Sequence, residues 1–324
     1  MKVLLTGPSG RVGYTTFTRL LEAGHEVRCF DTSSAFPSHP NGFNESIECY
    51  WRNRGYEFEW LWGDVRSADA VRQAVAKDID IVIHHAAMTL PSHCEEEWEY
   101  CWDVNYYGTL NVIDAIANSG GSAKLLYSSS VANYGFPVEG HDAFRESDLQ
   151  PSTCTYAATK IASELAIKKS GINYTIMRMA SAIDYRAPHM VMMSTSDMRD
   201  RGAKEMKLKT PTSPAHWVST DDVNTAYINA MVNSDSDRRV FNIAGPDSCR
   251  TTFKSFQDEI SVALGGKAST DSEWGTNAYP QHYYDISAAN AVLDFAKTPL
   301  PKILQNMVDS VQDIGEFLEL SKAA

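Results

Sequence analysis

Three features of this chain predict a doubly wound α/β fold on a parallel sheet. A short apolar segment, Lys2–Thr6, runs directly into a turn with glycines at 7, 10 and 13. Short apolar segments then alternate with longer helical stretches as far as Met179. One of them, Ile79–His84, is nearly all apolar, as a strand covered on both faces must be.

The first strand is Lys2–Thr6. A helical pattern follows, with Val12, Phe17, Leu20 and Leu21 on its apolar face and Gly24 as the stop. Glu26–Phe30, ending at Asp31, completes a βαβ unit. Glu57–Trp62 reads as the third strand, Ile79–His84 as the fourth, Ala123–Ser128 as the fifth and Tyr174–Met179 as the sixth. Helices are expected at Ala68–Ala76, Glu95–Ala117 and Tyr156–Lys169. Beyond Met179 the pattern loosens, and residues 184–216, with clustered methionines, Pro211 and Pro214, read as a mobile lid. Val240–Ile243 reads as a strand returning to the sheet, and Phe253–Leu264 and Leu304–Leu320 as helices. In the last, Met307, Val308, Val311, Ile314, Phe317 and Leu318 form one apolar face for packing. Residues 1–180 are therefore expected to hold a nucleotide and the reacting groups. Residues 181–324 are expected to be mostly a substrate lobe, with about 216–245 returning to the main domain.

At 324 residues the chain is long enough for a sizeable core. It has no apolar run of about 18 residues, so no membrane-spanning helix is expected. The N-terminal segment meets glycine too soon for a signal peptide. The formal charge of −12 argues against a nucleic-acid partner. Cys29, Cys49, Cys94, Cys101, Cys154 and Cys249 are scattered without a Cys-x-x-Cys pair, which points to reduced thiols in the cytoplasm and to no metal site.

Thr6–Gly13 lies between a strand and a helix, the context that makes spaced glycines a dinucleotide cradle. Gly7 permits the turn, Gly10 lets the backbone approach a pyrophosphate, and Gly13 lets helix and strand pack closely. Ser9, Arg11 and Val12 complete the contact, and the free N–H groups of the helix start favour the phosphates. Asp31, ending the second strand, is placed to accept from ribose hydroxyls and to repel a 2′-phosphate, which predicts NAD rather than NADP. Asp64 after the third strand is expected to face adenine or to cap the next helix, with Val65 beside it. Ala86 and Ala87 after the fourth are expected to line the cofactor. Ser130 and Tyr156-x-x-x-Lys160 complete the pattern: a phenol with pKa near 10 is a poor base, and an ammonium one helical turn away is expected to lower it. Ser130 can donate to a developing alkoxide.

Taken together, these residues resemble the extended short-chain dehydrogenase/reductases, the NAD-dependent epimerase/dehydratase superfamily. The matching segments are Thr6–Gly13, Gly63-Asp64-Val65, His84-His85-Ala86-Ala87, Asn105, Tyr127–Gly135, Glu146 to Glu164, Arg178, Asp221-Asp222-Val223, Phe241-Asn242-Ile243 and Tyr284-Asp285-Ile286-Ser287. The resemblance implies a Rossmann-type sheet, with Tyr156 as general acid/base, Lys160 as its partner and Ser130 as the hydroxyl that holds the substrate oxygen. It implies a supporting role for Asn105 behind the lysine, cofactor contacts from Asn105, Ser128, Tyr156, Lys160 and Met179, and a homodimer through the helices at 95–117 and 156–169. His84, His85 and Arg178 are expected to be satisfied buried groups.

Departures from the pattern bear on the substrate. Val131-Ala132-Asn133 after Ser130 lacks the acids that dehydratases carry, so dehydration is disfavoured. Ser181, and a Pro214–Trp217 stretch without arginine, differ from the nucleotide-sugar grip of the epimerases. Arg178-Met179-Ala180-Ser181 and Trp217-Val218-Ser219 are similar to uronate and aldose dehydrogenases. The expected activity is an NAD-dependent oxidation or reduction at a hydroxyl or carbonyl carbon of a sugar or similar small polyol. A nucleotide-sugar 4-epimerase with tightly bound NAD is the alternative, and an NAD-binding regulator without chemistry a third reading. Thr89, Ser92, His93, Ser130, Asn133, Ser181 and Arg186 are the expected substrate contacts.

Overall fold

The computed structural model describes residues 1–32, 48, 51–137, 139–183, 206–207, 209–263, 266–276 and 281–309. β1 (Lys2–Thr6) pairs in parallel with β2 (Glu26–Asp31) on one side and β4 (Ile81–His84) on the other. With β3 (Glu59–Trp62), β5 (Lys124–Ser130), β6 (Tyr174–Met179) and β9 (Arg239–Ile243) it forms a seven-stranded parallel sheet in the order β3-β2-β1-β4-β5-β6-β9. The strand order reverses between β1 and β4, so a crevice opens at the C-terminal ends of those two strands.

Strand side chains alternate between two cores. Val3, Leu5, Ile83, Leu126 and Phe241 face one, with Phe17 and Leu20 of α1 (Arg11–Glu22) and Val223 and Tyr227 of α7 (Thr220–Val232). Leu4, Val82, Leu125 and Ile176 face the other. That side is closed by α2 (Ala68–Ala74), α5 (Gly108–Asn118) and α6 (Thr155–Lys169), through Val71, Val112 and Ile167. Burial on both faces is why these strands read as nearly continuous apolar runs.

Several boundaries differ from the sequence expectation. The Glu95–Ala117 stretch is divided into α3 (Pro91–Glu96), α4 (Trp98–Trp102), a π-helical turn at Asp103–Tyr107, and α5. Glu97 leaves the helical region at φ −117°, ψ 51°. Gly108 begins α5 against Val65, whose side chain would lie 2.8 Å from any Cβ added there. β5 runs on to Ser130, because pairing with β6 continues through Ser130↔Met179 although the residues turn polar. β3 starts at Glu59, opposite Arg28, and β4 at Ile81, because the Ile79 N–H turns back to the Ala76 carbonyl.

β8 (Pro214–Ser219) occupies the end of the stretch read as a lid. It pairs with β7 (Ser181–Ile183) in parallel and β10 (Arg250–Thr252) antiparallel, in a second, three-stranded sheet. α8 (Phe253–Ala263) and a helix over residues 300–309 pack there through Phe256, Ile260, Ile303 and Met307, and α9 (Ser287–Leu293) follows the Tyr284–Ser287 segment. Leu264, Val311, Ile314, Phe317, Leu318 and most of 184–216 lie outside the described residues. No described helix is long and apolar enough to cross a membrane.

Candidate active site

The cradle is built by close approach. Gly7 has φ +71°, and a Cβ there would sit 2.9 Å from Ala86 N, so the turn and the strand-four loop cross almost in contact. A Cβ on Gly13 would lie 1.9 Å from Gly7 O, which only glycine avoids. The start of α1 is thereby pressed onto the turn, with Gly10 at its N-cap, a residue that brings no side chain to the first N–H groups. Arg11 is exposed and Val12 half-buried in that first turn. A cradle that added Cβ atoms would fill, next to a helix start with glycine at its N-cap, fits a bound pyrophosphate.

Asp31 ties the cradle to β2. Its Oδ2 accepts from Ser9 N at 3.0 Å and from Ser9 Oγ, and its Oδ1 accepts from Thr32 N at 2.8 Å. Burial raises its pKa above the usual carboxylate value, and the Ser9 bonds work against that shift. Asp64 is held by Arg66, through N at 2.9 Å and through Nε and Nη2 at 2.9 and 2.6 Å. Burial works to raise the Asp64 pKa, but Arg66 outweighs it and the net direction is down. Asp64 does not cap α2; the Ser67 side chain does, accepting from Ala70 N. Val65 is buried, while Ala86 and Ala87 are half-buried beside the turn, and Ala86 N donates to Thr6 Oγ1 at 3.2 Å.

Ser130, Tyr156 and Lys160 converge one strand further along. Ser130 ends β5, and its Oγ accepts from Ala132 N at 3.1 Å. Tyr156 lies in the first turn of α6, 9% exposed, and the Ser130 hydroxyl acts to lower the pKa of its phenol. Lys160 is 2% exposed; its Nζ donates to Ser128 O at 2.8 Å and lies 5.8 Å from the Tyr156 ring centroid. The expected lowering of the phenol pKa by the ammonium is not what this geometry gives. Burial pushes the Tyr156 phenol up, with the Ser130 hydroxyl opposing, and burial pulls the Lys160 ammonium down to about 8. Desolvation of both groups is larger than their mutual effect.

Asn105 sits in the π-helical turn. Its Oδ1 accepts from Met88 N at 2.8 Å, and its Nδ2 donates to Met88 O at 3.0 Å and Thr159 Oγ1 at 3.1 Å. It pins the strand-four loop to α6 one residue before Lys160. Met88, Cys94, Cys101 and Cys154 wall the Tyr156 ring, and Cys154 Sγ caps α6 by accepting from Ala157 N at 3.5 Å. The sequence reading misses Glu95, which grips Thr155 N at 2.6 Å and Thr155 Oγ1 at 2.9 Å.

The expected substrate contacts divide. Thr89 and Ser92 are exposed, His93 is half-buried on α3, and Ser181 is half-buried at the start of β7. Met179, paired with Ser130, is half-buried at the end of β6. Asn133 is fully buried and donates to Ser129 Oγ at 3.2 Å and Glu164 Oε1 at 3.0 Å, so its amide serves the core and not the cleft. Arg186 lies outside the described residues. Glu164 and Arg178 form a buried two-point ion pair at 2.9 and 2.8 Å, and Arg178 also donates to Tyr134 OH at 2.7 Å. His84 bridges Thr6 Oγ1 at 2.7 Å and Thr109 Oγ1 at 3.2 Å, and burial lowers its pKa to about 3, so it is neutral.

A family model described as the NAD dependent epimerase/dehydratase family matches residues 3–244. A UDP-glucose 4-epimerase of Neisseria meningitidis serogroup C is 32% identical over 165 residues, covering 49% of this chain and 45% of that protein. A 3-beta-hydroxysteroid dehydrogenase of Mycolicibacterium neoaurum is 31% identical over 172 residues, covering 50% and 41%. The chain thus spans about half the length of the curated relatives it matches, or less. Among solved structures, a UDP-glucose 4-epimerase of Thermotoga maritima with UDP-glucose superposes with a TM-score of 0.76 at 20% identity, covering 97% of this chain and 99% of that one. A UDP-glucuronic acid 4-epimerase of Bacillus cereus, in complex with UDP-glucuronic acid and NAD, gives 0.78 at 19%, covering 97% and 100%. At such identity the likeness is one of fold. The matched span takes in the glycine cradle, the β1–β4 crevice, the Ser-Tyr-Lys group and the returning strand β9, and on that span the chain belongs to the NAD-dependent epimerase/dehydratase family.

Proposed function

We propose that this NAD-dependent enzyme moves a hydride at a hydroxyl or carbonyl carbon of a sugar or similar small polyol, with Tyr156 exchanging the oxygen-bound proton. The observation that carries the reading is the convergence of Ser130, Tyr156 and Lys160 on the C-terminal side of the sheet, near the β1–β4 crevice. Residues Ser9–Gly13, Asp31, Asp64-Val65, Ala86-Ala87, Ser128 and Met179 would hold the cofactor. Bound NAD supplies the acceptor and donor of hydride. Ser130 holds the substrate oxygen and Tyr156 takes or returns its proton. The Lys160 ammonium, fixed on the Ser128 carbonyl, stabilises charge as it develops. The phenol's raised pKa keeps it protonated until further positive charge gathers beside it.

Thr89, Ser92, His93 and Ser181 remain the proposed substrate contacts, on loops at strand ends. Residues 1–180 form the proposed cofactor domain, and those beyond mostly the substrate lobe. The return of β9 to the main sheet supports an excursion back near 216–245. Trp98, Tyr107 and Leu165, each more than half exposed on α4, the π-helical turn and α6, support a homodimer across these helices. The reduced thiols Cys29, Cys94, Cys101, Cys154 and Cys249 suit a cytoplasmic location.

A nucleotide-sugar 4-epimerase is the second reading, favoured by the likeness to the Neisseria UDP-glucose 4-epimerase. Assay of free aldoses, uronates and nucleotide sugars for NADH formation separates the two. Net NADH with a free sugar supports the first reading; interconversion of nucleotide sugars without net NADH supports the second.

A further inference from the structure

His85, beside the Gly7 crossing, is not among the reacting groups, yet it links the cradle helix to the strand that holds Lys160. Its Nε2 lies 3.1 Å from Thr16 Oγ1 on α1, and its Nδ1 lies 2.5 Å from Ser128 Oγ on β5. Ser128 Oγ lies in turn 2.7 Å from Tyr227 OH on α7. The acceptors around Thr16 set the direction of these bonds. Its single hydroxyl proton faces two of them, Val12 O at 3.0 Å and Asn224 Oδ1 at 2.7 Å. What Thr16 offers His85 is a lone pair, so Nε2 carries the imidazole proton. Nδ1 then accepts from Ser128, and Ser128 accepts from Tyr227. Burial, followed by the Lys160 charge, lowers the His85 pKa to about 3, so the imidazole stays neutral and the direction holds at working pH.

Ser128 is gripped from two sides. Ser129 points to Glu164 on α6, so Ser128 points to the opposite face, where His85 and Tyr227 lie. Pairing of β4 with β5 stops at His84↔Tyr127, which leaves the β5 edge beyond it without a strand partner on that side. It is there that Ser128 O receives the Lys160 ammonium. We propose that His85 is a positioning residue: by clamping the Ser128 side chain against α1, it sets where the Ser128 carbonyl holds Lys160. The cradle helix and the proton-transfer group are in this way joined through one imidazole.

The proposal rests on the role given to Lys160, and its test is separable from that role because the main readout needs no turnover. The titratable groups around Lys160 are Tyr156, Tyr127, Cys94, Cys101, Glu164 and the neutral His84. The Lys160 ammonium is titrated by NMR in lysine-labelled full chain, for wild type, His85→Leu and His85→Gln. His85→Gln keeps one donor and one acceptor. The expected result is a midpoint moved by about half a unit or more in His85→Leu, a threefold change in the protonation constant, and largely restored in His85→Gln. An unmoved midpoint in folded His85→Leu overturns the proposal, as does a shift that His85→Gln fails to reverse. Should His85→Leu not fold, the wild-type imidazole ¹⁵N spectrum decides: a proton on Nε2 that does not titrate between about pH 5 and 9 supports the proposal, and one on Nδ1 overturns it. Turnover of Lys160→Met in the sugar panel tests the underlying role. Loss there beside an unmoved His85→Leu midpoint sinks the positioning alone, and retained turnover takes both.

Discussion

Lys160 Nζ donates to the Ser128 carbonyl across 2.8 Å, and Ser128 lies two residues before Ser130 on the same strand. The ammonium and the Ser130 hydroxyl therefore share one support. Whatever fixes the end of β5 fixes both, and the parallel pairing of Ser128, Ser129 and Ser130 with β6 is that constraint.

Keeping Lys160 there works against stability. Burial lowers its pKa from the ordinary 10.5 to about 8. Between those values the unfolded chain binds more protons, so this group makes stability rise with pH, and below about 8 the full penalty remains. Lys160→Met is expected to stabilise the protein by about 3 kcal/mol at pH 7, at roughly 1.4 kcal/mol per unit, while abolishing turnover. Urea unfolding at pH 7 and near pH 10 checks this. The gap between variant and wild type should narrow at the higher pH, and a variant less stable at pH 7 contradicts the account.

Two of the three cradle glycines, Gly10 and Gly13, should respond very differently to alanine. A Cβ on Gly13 meets Gly7 O at 1.9 Å, whereas one on Gly10 meets it at 3.3 Å. Gly13→Ala is expected to weaken NAD binding by a factor on the order of a hundred, about 3 kcal/mol, and Gly10→Ala by less. Calorimetric titration with NAD checks the order; equal affinities would sink the packing argument.

Asp31 offers its carboxylate to Ser9 and, in the proposed function, to the cofactor ribose. Asp31→Asn retains an acceptor for Ser9 and removes the charge that opposes a 2′-phosphate. The NAD/NADP preference is expected to fall by about tenfold or more, roughly 1.4 kcal/mol, with melting temperature nearly unchanged. Affinity for both dinucleotides, measured side by side, decides it. A wild type that already prefers NADP rules out the assignment.

The parts legible in the sequence are those governed by a simple rule. Strands buried on both faces show as apolar runs, and Gly7 and Gly13 mark the turn because a Cβ at either would run into backbone. Ser128–Ser130 do not read as strand throughout, because their pairing is set by β6 and not by hydrophobicity. The break at Glu97 is likewise invisible, and so is the π-helical turn, whose Asn105 is bonded to Met88 and whose successor Gly108 lies against Val65. Asn133 reads as a substrate contact in the sequence because its burial depends on Glu164, a residue 31 positions away. The direction of the Tyr156 shift is hidden for a related reason: sequence shows the i+4 ammonium but not the desolvation that outweighs it.

Proton transfer by the Tyr156 oxygen is the step on which the proposed activity depends. Tyr156→Phe removes that oxygen and leaves the ring packed on Met88, Cys94 and Cys101. Turnover of the best sugar in the panel, compared at equal NAD occupancy, is expected to fall by about 10²–10⁴-fold with fold and NAD affinity unchanged. A Tyr156→Phe enzyme that turns over at the wild-type rate would contradict it.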